Sequence, residues 1–215
     1  MKPYAFYKSL LEKYGLQGWW PLLEVDGCNP TKTGSCRGYH PGDYSYPKNL
    51  RQRFEICIGS ILTQNVGWIN VEKALLNLSE LKSIEAKELL LLSDEKLKEA
   101  IKPAGYYNQK AKKLRIFAEF FEQKRGKPTR EELLSLWGIG EETADSMLLY
   151  AYSEPTFVVD TYTRRIFDMK QESYGQVKEF FERNLPKDYR VYQEYHALLV
   201  EHAKVFKGAP SEKKG

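Results

Sequence analysis

Apolar side chains recur at helical spacing along most of this chain, and no other feature constrains its fold as much. Residues 51–63 place Phe54, Ile58, Ile61 and Leu62 on one face. Residues 68–80 repeat the pattern with Val71, Ala74, Leu75 and Leu78, and residues 108–124 with Ala111, Leu114, Phe117, Ala118 and Phe121. Further helices are predicted over 4–14, 84–92, 94–101, 129–136, 141–152, 161–169, 173–184 and 188–206. Ser93 offers an N-cap, and Thr129 with Glu132 forms a capping box after Pro128. The β-rich segment 156–159 is too short to build a sheet, so the predicted class is all-α. Residues 24–49 break the pattern with four Gly, three Pro and three Tyr and no periodicity. A connection that long is uncommon in a compact domain and is either functional or disordered.

Composition excludes some classes. At 215 residues the chain makes one large domain or two small ones. No apolar run approaches the roughly 18 residues of a membrane span, and the start of the chain lacks the apolar core of a signal peptide. Three sparse cysteines, Cys28, Cys36 and Cys57, form no C-x-x-C pair and point to a reducing, cytoplasmic setting. Cys28 and Cys36 alone make a poor zinc site. The net charge of +4 barely favours a polyanionic partner.

The chemistry concentrates in residues 136–167, LWGIGEETADSMLLYAYSEPTFVVDTYTRRIF. Gly138, Ile139 and Gly140 form a turn that opens a helix. Amides at such a start can hold a phosphate, and glycines let the backbone approach it. Asp160 stands just before a basic helical run, where it can cap the helix and stay ionised. A carboxylate about twenty residues beyond the turn could act on the nucleotide whose phosphate the turn holds. Aromatic residues reach 13%, which suits stacking on planar ligands as well as core packing. Lys110, Lys112, Lys113 and Arg115 read first as a solvated helix face and second as contacts to a DNA backbone, as do Arg164 and Arg165.

These motifs resemble the helix-hairpin-helix DNA glycosylases of the endonuclease III superfamily. LWGIGEETADSMLLYA is similar to the hairpin, FVVDTYTRRIF to the segment with the essential aspartate, and ILTQN (61–65) to the strand-probing element. The likeness covers about residues 4–207. It extends to the 3-methyladenine DNA glycosylase III subgroup through Trp19-Trp20-Pro21, the FE-x-x-x-G-x-x-LTQN run of 54–65 and the GYYNQKAKKL run of 105–114. The resemblance implies a helical barrel over 51–154 with the hairpin at about 133–152. It implies a second subdomain built from residues 1–50 and 155–215, and a cleft between them for a flipped base. Asp160 would be catalytic. Trp19, Trp20, Pro21, Phe54 and Lys204 would line the base pocket. Gln64, Gly138, Ile139, Gly140 and Thr143 would contact DNA. The partner would be double-stranded DNA with a damaged base, bound by a monomer and with no membrane association.

Two departures refine the expectation. Relatives that carry a lysine nucleophile have it directly before the Thr-Ala of the hairpin helix, where this chain has Glu142. A carboxylate cannot form a Schiff base, so a monofunctional hydrolase is expected, leaving an abasic site. Relatives with a 4Fe–4S cluster bind it through cysteines after a His-x-x-x-x-Cys stretch. The matching stretch here runs from His202 to Lys207, and no cysteine follows Cys57. The expectation is therefore no iron–sulfur cluster, and no cofactor beyond a monovalent cation at the hairpin. His202 reads as structural. The expected reaction is release of an alkylated purine, 3-methyladenine foremost. A glycosylase for another lesion with lyase activity, and a non-catalytic DNA-binding protein, remain as alternatives.

Overall fold

In a computed structural model, residues 2–28, 31, 37–124 and 126–205 are described. Eleven α-helices occur among them, with no strand. The helices are α1 (Pro3–Tyr14), α2 (Leu50–Leu62), α3 (Trp68–Glu80), α4 (Ala86–Leu91), α5 (Asp94–Ile101), α6 (Tyr107–Gln123), α7 (Arg130–Leu134), α8 (Glu141–Ser146), α9 (Thr161–Ile166), α10 (Tyr174–Asn184) and α11 (Tyr189–Val205). The predicted all-α class is what the structure shows, and the periodic segments lie within a few residues of these helices. Four differ in form. The 84–92, 129–136 and 161–169 helices shorten to α4, α7 and α9. The 141–152 helix stops after Ser146 and widens into a π-helical turn at Met147–Ala151. The 156–159 segment is extended and buried, but it pairs with no strand.

The helices sort into two groups. In the first, α2 is the axis: Phe54, Ile56, Cys57, Ile58, Ile61 and Leu62 are all essentially buried. Helices α3, α6, α8 and the π-turn pack around it, with α5 on α3 and α4 on α6. In the second, α11 packs on α1 and α9, and α10 packs on α1. An aromatic core fills this group, with Phe157 stacked on Phe181 at 4.3 Å and Phe167 and Tyr195 edge-on to Phe181. Helix α11 also packs on the π-turn, so the groups meet where the hairpin helix ends.

Start signals explain several boundaries. Ser93 accepts from the Lys96 amide, and the Thr129–Glu132 capping box is complete. Asn49 and Ser173 cap α2 and α10 in the same way. The irregular 15–49 segment is fastened by side chains. Buried Glu194 accepts from the Gln17 amide and the Tyr44 hydroxyl. Buried Glu55 accepts from the Leu23 amide at 2.7 Å. Residues 29, 30 and 32–36, including Cys36, lie outside the described part.

The basic stripe of α6 is only partly a solvated face: Lys112 is exposed, but Lys110 is not. Lys110 is 2% exposed, and its ammonium donates to the carbonyls of Leu62, Gln64 and Ala104 at 2.8–2.9 Å. It satisfies carbonyls at and just beyond the α2 C-terminus. Arg115 bonds Asp94 and the carbonyls of Leu90 and Leu92. Lys112 lies over the Trp137 ring. A lysine with carbonyl partners packs as core, a pattern that charge counting cannot see.

Candidate active site

Asp160 is placed by the extended, buried segment that precedes it. Pro155 cannot continue the hairpin helix, and Phe157, Val158 and Val159 are buried beneath it. At Asp160 the backbone is still extended, and the side chain caps α9. Its Oδ1 accepts from the Thr163 amide at 2.7 Å and from the Thr163 hydroxyl at 2.8 Å. Its Oδ2 stands 3.6 Å from Nε2 of His196 on α11. That is ion-pair range for a protonated ring and longer than a hydrogen bond. Burial alone would push the carboxyl upward. His196 and the two Thr163 donors outweigh it, and the pKa lies below the ordinary aspartate value. The expected helix cap and the expected ionised carboxylate are the same geometry.

An aromatic chain runs from this carboxylate into the first group of helices. His196 Nδ1 is 2.8 Å from the Tyr150 hydroxyl, which also donates to the Gln193 carbonyl at 3.2 Å. The Tyr150 ring lies 5.3 Å from Trp20, and Trp20 lies 5.4 Å from Trp68 and 5.3 Å from Trp19. Trp19 lies 4.8 Å from Trp68 and 5.9 Å from Tyr39. Trp20 is 4% exposed, whereas Trp19 and Trp68 are half-buried. The Trp20 indole lies on Gly59 of α2, where an added Cβ would meet the ring at 3.2 Å. The indole N–H groups of Trp19, Trp20 and Trp68 are all buried without an acceptor among the described residues. Buried donors are nearly always paired, so three orphans in one cluster mark a place for acceptor atoms.

Not every expected pocket residue joins this cluster. Trp19 and Trp20 do, with Pro21 buried beside them. Phe54 is 1% exposed and packs with Phe117 and Phe121 of α6. It borders a separate groove of about 910 Å³ with Tyr152 and Arg53. Five positions before Gly59, it points to another side of α2 from the helix surface under Trp20. Lys204 is ion-paired to Glu201, whose other oxygen takes the Thr31 hydroxyl. His202 meets Tyr14 at 3.0 Å and Phe6 edge-on, as its structural reading expects. Trp68, Tyr39, Tyr150 and His196 were not singled out from the sequence. Trp68 follows Gly67, the N-cap of α3, but nothing local signals that it meets Trp19.

The hairpin joins α7 to α8 through a turn in which Gly138 has φ +85°, a left-handed conformation that favours glycine. Ile139 is buried, and open space lies beside Gly140. The Gln64 amide donates to the Gly138 carbonyl at 3.2 Å and the Thr143 hydroxyl at 3.0 Å, and Lys113 donates to its oxygen at 2.5 Å. The structure thus brings Gln64, Gly138 and Thr143 together. Glu142 presents an open face, yet the protein around it, and then the Asp160 charge, push its pKa up to about 7 against His196 and Arg164. Arg164 itself is held by the carbonyls of Met169 and Glu172, and Arg165 by that of Ala203.

Cys57 is buried in α2 and Cys28 is exposed in the loop, and no group of three metal-binding side chains occurs among the described residues. Lys207 and Cys36 lie outside those residues. No helix among them is long and apolar enough to cross a membrane.

Residues 58–187 match the HhH-GPD superfamily of base excision DNA repair proteins. The chain belongs to this family. As an HhH-GPD protein it is a DNA glycosylase of the endonuclease III kind. A protein of Methanocaldococcus jannaschii, named provisionally as a DNA repair glycosylase, is 41% identical over 94% of this chain and 87% of its own length. Endonuclease III of Escherichia coli is 30% identical over 73% of this chain and 76% of its own. Among solved structures, the H. pylori 3-methyladenine DNA glycosylase bound to 1,N6-ethenoadenine superposes with a TM-score of 0.72 at 26% identity, covering 96% of this chain and 99% of that one. A trapped endonuclease III–DNA covalent intermediate superposes with a TM-score of 0.73 at 18% identity, covering 99% and 91%, and shares the HhH-GPD fold.

Proposed function

We propose that this chain is a monofunctional glycosylase that hydrolyses the N-glycosidic bond of alkylated purines in duplex DNA, with 3-methyladenine as the foremost substrate. The observation that carries the reading is the aromatic cluster of Trp19, Trp20, Trp68 and Tyr39, joined to an ionised Asp160 through Tyr150 and His196. A base flipped into such a site stacks on indole faces, and a cationic base gains cation–π attraction. The orphaned indole N–H groups would take up its acceptor atoms. Asp160 would stabilise the positive sugar as the base departs and orient the attacking water. N3-methyladenine leaves readily because it already carries positive charge. The structural likeness to a 3-methyladenine glycosylase supports the same substrate class.

Glu142 supports the monofunctional part, since it stands where related enzymes place a lysine nucleophile and cannot form a Schiff base. We read residues 51–154 as the barrel subdomain, and residues 1–50 with 155–215 as its partner. The turn at Gly138, Ile139 and Gly140, with Thr143 and Gln64, would grip the backbone of double-stranded DNA. Trp19, Trp20 and Pro21 would form the base pocket. The packing of Phe54 and the ion pair of Lys204 favour supporting roles for both. The chain would work as a monomer in the cytoplasm. It would carry no iron–sulfur cluster, because no thiolates follow Cys57.

The test is a panel of duplexes carrying 3-methyladenine, 1,N6-ethenoadenine, hypoxanthine, uracil or an oxidised base. Release of methylated purine, with an intact backbone until alkali is added and no borohydride-trapped adduct, supports the reading. Release of uracil or an oxidised base overturns the substrate, and a trapped adduct overturns the monofunctional assignment.

A further inference from the structure

Asp160 uses both carboxylate oxygens differently. Thr163, on its own helix, holds Oδ1 with two donors. Oδ2 has no donor from α9. It faces His196, which arrives from α11 and is 11% exposed. The imidazole is fixed in turn by Tyr150, whose hydroxyl meets Nδ1 at 2.8 Å and is tied to the Gln193 carbonyl at 3.2 Å. The Tyr150–His196 contact fixes the ring, and the nitrogen that carries its hydrogen follows from where the single Tyr150 proton goes. If Tyr150 donates to Nδ1, the neutral ring carries its hydrogen on Nε2. If Tyr150 donates to Gln193 instead, Nδ1–H donates to the hydroxyl oxygen. The face toward Asp160 is then favourable only when Nε2 is protonated as well.

We propose that His196 is a positioning residue for the glycosylase reaction: it sets Nε2 3.6 Å from the second oxygen of Asp160 and keeps the carboxylate aimed, while Tyr150 fixes the ring. The proposal deepens the functional reading above and rests on it for the reaction, though not for the His196–Asp160 linkage. The remaining charges around the pair are few. Glu142 from α8 bears on both groups, Arg164 on α9 bears on Glu142, and Tyr150 comes from the π-turn. Burial alone would raise the Asp160 carboxyl, and His196 is the largest of the influences that lower it. The sign follows. Without His196, Asp160 protonates at a higher pH, and activity that needs the carboxylate is lost from the acid side first.

The decisive experiment titrates the carboxyl carbons of 13C-aspartate-labelled protein by NMR, with the Asp160 signal assigned from Asp160→Asn. Wild type is compared with His196→Phe and with His196→Gln, which keeps a donor but no charge. The expected result is an Asp160 midpoint raised by about one to two pH units in His196→Phe, and by less in His196→Gln. The acid limb of base release against pH should move with it, so that His196→Phe recovers toward wild type as pH rises. An unchanged midpoint in folded variants, with activity lowered equally at every pH, would overturn the proposal. The carboxyl midpoint needs no substrate. Should wild type release no base, the functional reading fails while the linkage is still decided.

Discussion

Arg130 and Asp145 face each other across the hairpin at 2.8 Å, and Asp145 is fully buried. The carboxylate also accepts from the Thr156 hydroxyl at 3.2 Å and lies 3.8 Å from Lys178 of α10. One charge on the hairpin helix therefore ties α7 to the opposite group of helices. Removing it takes the fully buried carboxylate from both cations, leaving Arg130 to Glu141 and Lys178 to Glu182, which costs more than losing a surface pair. Asp145→Ala is expected to destabilise the fold by about 2–3 kcal/mol. Urea unfolding measures this. A loss below about 1 kcal/mol would mean that the network is solvated in solution.

Gly59 is the floor under Trp20. A Cβ there would sit 3.2 Å from the indole, close enough to shift the ring by a few tenths of an ångström. Gly59→Ala should cost about 1–3 kcal/mol of stability through overpacking, against a helix-propensity gain of up to about 1. The KM for a lesion duplex should rise more than kcat falls. Steady-state kinetics with tryptophan fluorescence would check it, and an unchanged KM would place the base away from Trp20.

Glu55 gives a pH signature. Burial pushes its carboxyl from 4.5 up to about 7, despite the Leu23 amide and Arg51. A folded pKa above the unfolded value means stability that is present below about 4.5 and lost as pH rises through 7. The stability of Glu55→Gln relative to wild type should therefore improve by up to about 3 kcal/mol from low pH to pH 8. Denaturant unfolding of both proteins over that range measures the slope. A difference that does not change with pH would show that the Glu55 carboxyl titrates alike in the folded and unfolded chain.

The helices and the capping position of Asp160 were legible in the sequence because both are local signals. Helical spacing is set within a few residues, and Asp160 declares itself as a cap after a run ending in Val158 and Val159. The pocket was only half legible. Trp19 and Trp20 stand out as a pair, but their neighbours Trp68, Tyr39 and Tyr150 come from separate elements. Tyr150 hides in the apolar run Met147–Ala151, and His196 lies in an amphipathic helix where nothing marks it. Phe54 shows the converse. Its motif suggested a pocket wall, and the turn of α2 carries it toward α6. Lys110 carried a surface signal and became core because three backbone carbonyls converge on it.

In the proposed reaction an ionised Asp160 acts on a base held by the aromatic cluster. The most direct measurement is single-turnover release of 3-methyladenine from duplex DNA by wild type and Asp160→Asn. The variant keeps the size of the side chain and an oxygen for the Thr163 donors, so it should fold and bind lesion DNA. Base release should fall by roughly 100-fold or more, with the affinity for DNA little changed. Release at near wild-type rate from a folded variant would contradict the assignment of Asp160 as the catalytic group.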